Sequence, residues 1–163
     1  MKILCVATLP PHRGGSAISC SLLLSGFAAA GHSVRVLSPI ATDDLDGGDA
    51  FAAAHPEIGV TRFPVPFAEV SPNLPAGDEY RRSERGHIRS LLPALIRRER
   101  PDLVFLGRET FAWDAPEIAR AHSIPCVLRT AGATTIGMLH RTLPDAEVCH
   151  LVEQFRVPFF SRR

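Results

Sequence analysis

Short apolar runs alternate with segments of helical periodicity from the start of the chain. The runs are rich in aliphatic and β-branched residues and are bounded by glycine, proline or polar residues, as expected of buried strands. They occupy residues 3–9, 33–38, 60–65, 101–107 and 124–129. The proline in the third run limits that strand to an edge or a terminus of its sheet.

The first gap between runs carries apolar residues at helical spacing. Ile18, Leu22 and Phe27 predict a helix that Ser16 caps and that Gly31 ends in the left-handed conformation. Together with the strands on either side, this helix forms a βαβ unit of ordinary length, whose crossover is expected to be right-handed.

Later segments continue the alternation. A helical pattern follows from residue 81 to about residue 99, in which Pro93 predicts a kink or a fresh helix start. Residues 114–117 form a helix-start signature with Asp114 as the cap, and a further helix is expected over residues 145–156. Residues 66–80 are rich in proline and predict a mobile loop.

Repeated strand–helix alternation predicts an α/β fold. We expect a Rossmann-like open parallel sheet with helices on both faces, formed by all 163 residues as a single domain. Ligands of such sheets bind outside the carboxyl ends of the strands, so the residues that follow each strand are the candidates for function.

The junction between the first strand and the first helix is the strongest candidate. Gly14, Gly15 and Ser16 can form a nest of backbone N–H groups at a helix N-terminus, where an anion is favoured. His12 and Arg13 lie just before it. The pattern indicates a phosphate-bearing ligand, although an ordinary turn would have the same sequence.

Two later loops carry charged and aromatic residues. Arg108, Glu109 and Trp113 suit a polar ring-shaped substrate, or they form a loop ion pair beside a core indole. Arg129, followed by Thr130, can neutralise a phosphate or carboxylate, or can pair with a neighbouring side chain.

Composition excludes several classes of function. The net charge of +1 gives no field that would attract nucleic acid or an anionic membrane, and the arginines of residues 81–100 are expected on a solvated helix face. No apolar run is long enough to span a bilayer, so no transmembrane segment is expected. The four cysteines show no C-x-x-C pair, which predicts free thiols and a cytoplasmic protein.

Motifs for metals and for other nucleotide folds are missing. Asp44 and Asp46 have the D-x-D spacing of some metal sites, but a solvated acidic loop explains them better, and no metal site is predicted. The first turn has neither G-x-G-x-x-G nor a P-loop. No motif in the sequence therefore identifies the catalytic residues.

Four motifs in order resemble the N-terminal half of a GT-B glycosyltransferase of the retaining family 4. They are Met1–Leu4 leading to Pro10–Gly15, then residues 31–37, residues 97–104, and residues 118–127. The resemblance covers most of the chain and is strongest over about the first forty residues.

The resemblance implies one lobe of a two-lobed enzyme. Gly14, Gly15 and Ser16 would lie beside the donor diphosphate, and His12, Arg13, Arg108, Glu109, Trp113, Arg129 and Thr130 would face the acceptor. The partners would be a nucleotide sugar and a sugar or other hydroxyl acceptor, with no metal cofactor. Because the C-terminal donor-binding lobe is absent, we expect the chain alone to be inactive.

Two alternatives stay open from the sequence. A stand-alone Rossmann-like binding module without catalysis would carry the same motifs, and so would half of a GT-B sugar-nucleotide epimerase. Absence of the second lobe would also leave apolar surface that permits a homo-oligomer.

Overall fold

Five parallel strands form the central sheet in the part of the chain that the computed structural model describes. The structure describes residues 1–12, 15–47, 49–66 and 75–129. The strands are β1 (Lys2–Val6), β2 (Ser33–Ala41), β3 (Ile58–Val65), β4 (Leu103–Leu106) and β5 (Cys126–Leu128). Their order is β3-β2-β1-β4-β5 and every pair is parallel, which confirms the Rossmann-like α/β prediction.

Within the described residues, four α-helices cover the two faces of the sheet. They are α1 (Gly15–Ala29), α2 (Ala50–Ala54), α3 (Pro75–Glu99) and α4 (Ala115–Ala121), with 3₁₀ turns at Thr42–Gly47 and Glu109–Trp113. Alternate residues of β1 enter different cores, as strand geometry requires: Ile3 and Cys5 pack with α1, whereas Leu4 and Val6 pack with α3 and α4. Helices therefore lie on both faces, as predicted.

The end of α1 follows the sequence prediction. Gly31 has φ +83°, a conformation that is cheap only for glycine, and its amide donates to the carbonyl of Ala28 at 2.9 Å. The amide of His32 reaches back to the carbonyl of Phe27 at 3.1 Å. These bonds close the helix and direct the chain into β2.

Two predictions around α3 are wrong. Residues 75–80 were predicted as loop, but Pro75 is the first helical residue, a position where a proline lacks no hydrogen bond that the helix needs. Pro93 lies inside the same helix, so of its two predicted effects the fresh helix start is wrong, while the kink stays a prediction. Ile88, Leu92 and Ile96 bury its core face, and this burial outweighs the cost of the proline.

Two aspartates have roles that the predictions did not include. Asp49, close in sequence to the predicted acidic loop of Asp44 and Asp46, has a structural role: its carboxylate caps α2 by accepting from the amide of Ala52 at 3.0 Å. Asp114 precedes α4 as predicted, yet it makes no side-chain cap bond because Arg85 and Arg89 bind its carboxylate.

The predictions for the third strand, the first strand and the last helix remain to be compared with the structure. The third strand lies at an edge of the sheet, as its proline required. The first strand ends at Val6 rather than at Leu9. The helix predicted for residues 145–156 lies outside the described residues.

Candidate functional site

The carboxyl ends of β1, β4 and β5 meet at one edge of the sheet. Beyond the strands, the amide of Gly107 donates to the carbonyl of Val6, and the amide of Arg129 donates to that of Leu106, each at 2.9 Å. A Cβ at Gly107 would lie 2.8 Å from Sγ of Cys20 and 3.0 Å from Cβ of Ala7. Glycine at this position lets α1 approach the ends of β1 and β4.

The N-terminus of α1 forms one wall of this edge. Gly15 is its first residue, and no acidic side chain lies in its first turn to balance the positive end of the helix dipole. The hydroxyl of Ser19 donates to the carbonyl of Gly15 at 2.6 Å. Gly14, a predicted member of the nest, and Arg13, which precedes it, lie outside the described residues.

Two hydroxyl groups near this wall are buried. The side-chain oxygens of Thr8 and Ser16 have no well-aligned hydrogen bond within the described ranges. Ser16 instead lies beside the thiol of Cys20. Ser16 therefore has a polar neighbour on its own helix, and both hydroxyl oxygens are enclosed by the fold.

Arg129 reaches from the end of β5 to α1. Its guanidinium donates to the hydroxyl oxygen of Ser19 at 2.9 Å and to Sγ of Cys20 at 3.3 Å. In the part of the chain that the structure describes, no carboxylate forms an ion pair with it. The sequence left open whether Arg129 binds a salt-bridge partner, and among the described residues its contacts are with a hydroxyl and a thiol instead. Thr130 lies outside those residues.

Cys20 lies where the two arginine-bearing loops converge. Burial raises the pKa of its thiol, and the charges of Arg129 and Arg108 oppose that rise. Burial likewise raises the pKa of the Cys5 thiol, and it raises that of Cys126 to about 12. All three are free thiols, as predicted, whereas Cys149 lies outside the described residues.

His12 lies on the turn between β1 and α1. Its residue is only 6% exposed, and its amide donates to the carbonyl of Leu9 at 3.2 Å. In the same turn, the peptide bond between Pro10 and Pro11 is cis. His12 is therefore a buried residue of the turn that leads from β1 towards α1.

Arg108 forms an ion pair with a buried carboxylate that the sequence analysis did not single out. Its guanidinium lies 2.8 Å from Oε1 of Glu84, donates to Oγ1 of Thr110 at 2.7 Å, and stacks over the ring of Phe111. Glu84 is 1% exposed, and burial raises the pKa of its carboxyl although Arg108 opposes the shift. The periodicity of α3 could have identified it, since Glu84 lies four residues before Ile88 on the core face.

Glu109 and Trp113 follow Arg108 in the 3₁₀ turn. Glu109 is buried, and Trp113 is half-buried with the guanidinium of Arg85 5.3 Å from its ring centre. Arg85 and Arg89 also bind the carboxylate of Asp114, at 2.8 and 2.7 Å. These two arginines lie on an exposed face of α3, as predicted, with side chains 37% and 60% exposed, and from there both bind Asp114, while Arg85 also lies over the indole ring.

Metal ligands do not cluster in the described ranges. No group of three or more histidine, cysteine, aspartate or glutamate side chains there could hold a metal ion. Asp44 lies in the first 3₁₀ turn. Within the same ranges, none of the helices has the length and apolar character required to cross a membrane.

Solved structures share this fold at low sequence identity. A structure of LpCGTa in complex with UDP matches with a TM-score of 0.60 and 19% identity over 91% of this chain and 34% of that chain. Arabidopsis thaliana UGT89C1 complexed with UDP-L-rhamnose matches with a TM-score of 0.59 and 15% identity, over 94% and 42%. The chain therefore spans well under half the length of these proteins.

An epimerase has a similar fold. The UDP-GlcNAc 2-epimerase from Neisseria meningitidis bound to UDP-GlcNAc matches with a TM-score of 0.57 and 19% identity over 93% of this chain and 38% of that chain. At such identities these likenesses describe the fold alone. No curated protein sequence matches the chain significantly.

Sequence comparison with protein families assigns the chain directly. Residues 14–160 match the family described as the glycosyl transferase 4-like domain. The match includes the helix N-terminus at Gly15 and both arginine-bearing loops, and it agrees with the resemblance drawn from the motifs. The chain belongs to the glycosyl transferase 4-like domain family.

Proposed function

We propose that this chain is the acceptor-side lobe of a GT-B glycosyltransferase, which transfers a sugar from a nucleotide sugar to a hydroxyl acceptor. One observation is the main support for this proposal. The guanidinium of Arg129, without a carboxylate partner among the described residues, lies against the N-terminal turns of α1, whose first turn has no acidic residue.

Two positive groups at one place favour an anion. The free N–H groups at the start of α1 are equivalent to about half a positive charge, and the guanidinium adds a full one. A diphosphate satisfies both, because its oxygens accept from backbone N–H groups and pair with guanidinium donors. Gly14, Gly15 and Ser16 are the proposed neighbours of that diphosphate.

The departing nucleoside diphosphate is the group that needs stabilisation in sugar transfer. A guanidinium and a helix N-terminus supply preorganised positive charge where negative charge develops on the leaving group. We expect the reaction to proceed without a metal cofactor on this basis.

The acceptor is proposed to lie across the ends of β4 and β5. Arg108 and Trp113 are half-buried and offer a charged donor and an aromatic face, while Glu109 lies deeper. His12, with Arg13 beside it in sequence, approaches from the turn after β1. Thr130 completes the proposed acceptor set, whereas Arg129, which the resemblance places on the acceptor side, is proposed to bind the diphosphate instead.

A second lobe is part of the proposal. The chain spans 34% of LpCGTa and 42% of UGT89C1, whose structures hold UDP and UDP-L-rhamnose. We propose that residues 1–163 are one domain, that a C-terminal lobe provides most of the nucleotide contacts, and that the chain alone binds nucleotide weakly. A cytoplasmic location is proposed from the free thiols.

The proposal is tested with the full-length protein that contains this chain. It is incubated with a panel of nucleotide sugars and hydroxyl acceptors, and released nucleoside diphosphate and glycosylated product are quantified with and without EDTA. We expect acceptor-dependent product at equal rates in both conditions. The Arg129→Gln variant should lose most of that rate.

Other outcomes separate the alternatives. Conversion of the nucleotide sugar to its epimer without transfer would identify an epimerase, the activity named for the N. meningitidis protein of similar fold. Neither turnover nor nucleotide binding by the full-length protein would favour a binding module. Tight nucleotide binding by residues 1–163 alone would contradict the assignment of the donor site to a second lobe.

A further inference from the structure

Arg62 lies on the edge strand β3, where its guanidinium connects the neighbouring strand β2, the segment before α2 and the turn after β1. The side chain is 12% exposed. Its Nε and one terminal nitrogen bind the two carboxylate oxygens of Asp49, at 2.7 and 2.9 Å. The other terminal nitrogen donates to Oγ of Ser38, its neighbour in the register of β2, at 2.8 Å.

The third partner is the turn after β1. Arg62 donates to the carbonyl of Pro10 at 2.6 Å, and a longer bond of 3.5 Å reaches the carbonyl of Pro39. These five bonds match the five N–H donors of a guanidinium, so Arg62 has no donor left for a ligand. Its role must therefore be exerted through the groups that it holds.

Asp49 makes the other end of this connection rigid. Its carboxylate accepts from the amide of Ala52 at the start of α2 as well as from Arg62. The hydrogen bonds from Arg62 lower the pKa of the carboxyl, so the bidentate pair is ionised at neutral pH. The loop between β2 and β3 thus supplies a fixed anchor.

The turn that Arg62 holds has few backbone bonds of its own. Pro10 and Pro11 have no amide hydrogen, and the turn closes locally through the bond from His12 to Leu9 at 3.2 Å. The bond from Arg62 joins residues 52 positions apart in sequence. It ties the turn to the sheet immediately before the start of α1.

We infer that Arg62 and Asp49 are positioning residues, which hold the Pro10–His12 turn so that His12 and the N-terminus of α1 face the ligand in the correct place. The expected effect on KM rests on the proposed function. That Arg62 immobilises the turn is independent of the reaction.

Arg62→Lys in the full-length protein is the informative variant. Lysine keeps the charge pair with Asp49, but its single ammonium lacks the planar fork that binds Asp49, Ser38 and Pro10 together. We expect KM for the nucleotide sugar to rise about tenfold, with a smaller change in kcat and a modest fall in melting temperature from the lost hydrogen bonds. Amide hydrogen exchange at His12 should accelerate by a similar factor.

Arg35→Lys is the matched control. Arg35 lies on the neighbouring strand β2 and pairs with Glu99 at 3.5 Å, but its side chain is 51% exposed. It should leave KM and the exchange at His12 unchanged. Asp49→Asn, which keeps an oxygen acceptor but removes the charge, should give a KM between those of the wild type and Arg62→Lys.

Each result bears on the inference. It is overturned if Arg62→Lys resembles Arg35→Lys in both measurements, or if exchange accelerates equally throughout β1, which would indicate general destabilisation. If Arg62→Lys does not fold, Asp49→Asn decides on the same two measurements. If the wild type turns over no nucleotide sugar, the proposed function fails, and exchange at His12 still decides whether Arg62 holds the turn.

Discussion

The guanidinium of Arg129 donates to the hydroxyl oxygen of Ser19 at 2.9 Å, which places a cation from the end of β5 against the N-terminal turns of α1. The same hydroxyl donates to the carbonyl of Gly15, the first residue of the helix. Ser19 therefore orients the arginine without neutralising it. A strong anion can displace this neutral contact at little cost.

Replacing Arg129 by glutamine should weaken donor binding. Removing a charge-assisted bond to phosphate costs about 1.5–3 kcal/mol, which corresponds to a rise in KM for the nucleotide sugar of roughly 10- to 150-fold. Steady-state kinetics of the full-length protein measure it. Arg120→Gln, an exposed arginine in the last turn of α4, is the control and should have little effect. An unchanged KM for Arg129→Gln would remove Arg129 from the anion site.

Gly107 should tolerate no side chain, whereas Gly26 should. A Cβ at Gly107 would lie 2.8 Å from Sγ of Cys20 and 3.4 Å from the backbone of Ala7, so Gly107→Ala should destabilise by about 1–3 kcal/mol through overpacking. Gly26 has nothing within 4 Å of its Cβ position in the interior of α1, and Gly26→Ala should stabilise by about 0.5–1 kcal/mol. Opposite shifts of the unfolding midpoint are expected, and equal shifts would contradict the close packing of α1 at Gly107.

The fold was predictable because its determinants are local. Apolar runs located all five strands to within a few residues, and Gly31 ended α1 where its left-handed conformation is needed. The start of α3 was missed because Pro75 follows a proline-rich stretch and was interpreted as loop. Proline in the first turn of a helix is itself a start signal. The periodicity therefore predicted the helix correctly, and only its first residue was misplaced.

The site was only partly predictable because its contacts are long-range. Residues that follow strands could be chosen from topology alone, and this choice included Arg108 and Arg129. The partners of those residues could not be chosen, since Arg129 binds Ser19 and Cys20 across 110 and 109 positions of sequence. The pairing of Arg62 with Asp49 and Pro10 likewise depends on the register of β3 against β2.

Removing one partner of the buried pair of Glu84 and Arg108 should destabilise the fold more than replacing both partners. Glu84→Gln leaves the guanidinium without its carboxylate and should destabilise by about 3 kcal/mol. Arg108→Met in the same chain removes the charge that was left unpaired and should recover most of that loss.

A double-mutant cycle of thermal unfolding measures the coupling between Glu84 and Arg108. Glu99→Gln is the control, because Glu99 contacts Arg35 and Arg98, whose side chains are 51% and 65% exposed, and exposed pairs contribute at most about 1 kcal/mol. Additive losses in the cycle would show that the two residues do not stabilise each other.

Asp49 should make stability depend on pH in the acid range. Its hydrogen bonds from Arg62 lower the pKa in the folded protein below the ordinary value of 3.8, so ionised Asp49 stabilises the fold at neutral pH. That contribution is fully present above the unfolded pKa and is lost as the pH falls through the folded one. Asp49→Asn should therefore melt at a lower temperature than the wild type at pH 7, and the difference should shrink below about pH 4. Melting temperatures between pH 7 and pH 3 test this, with exposed Asp43→Asn as the control for general loss of charge. A difference that stays constant down to pH 3 would show that the carboxylate of Asp49 does not stabilise the fold through its charge.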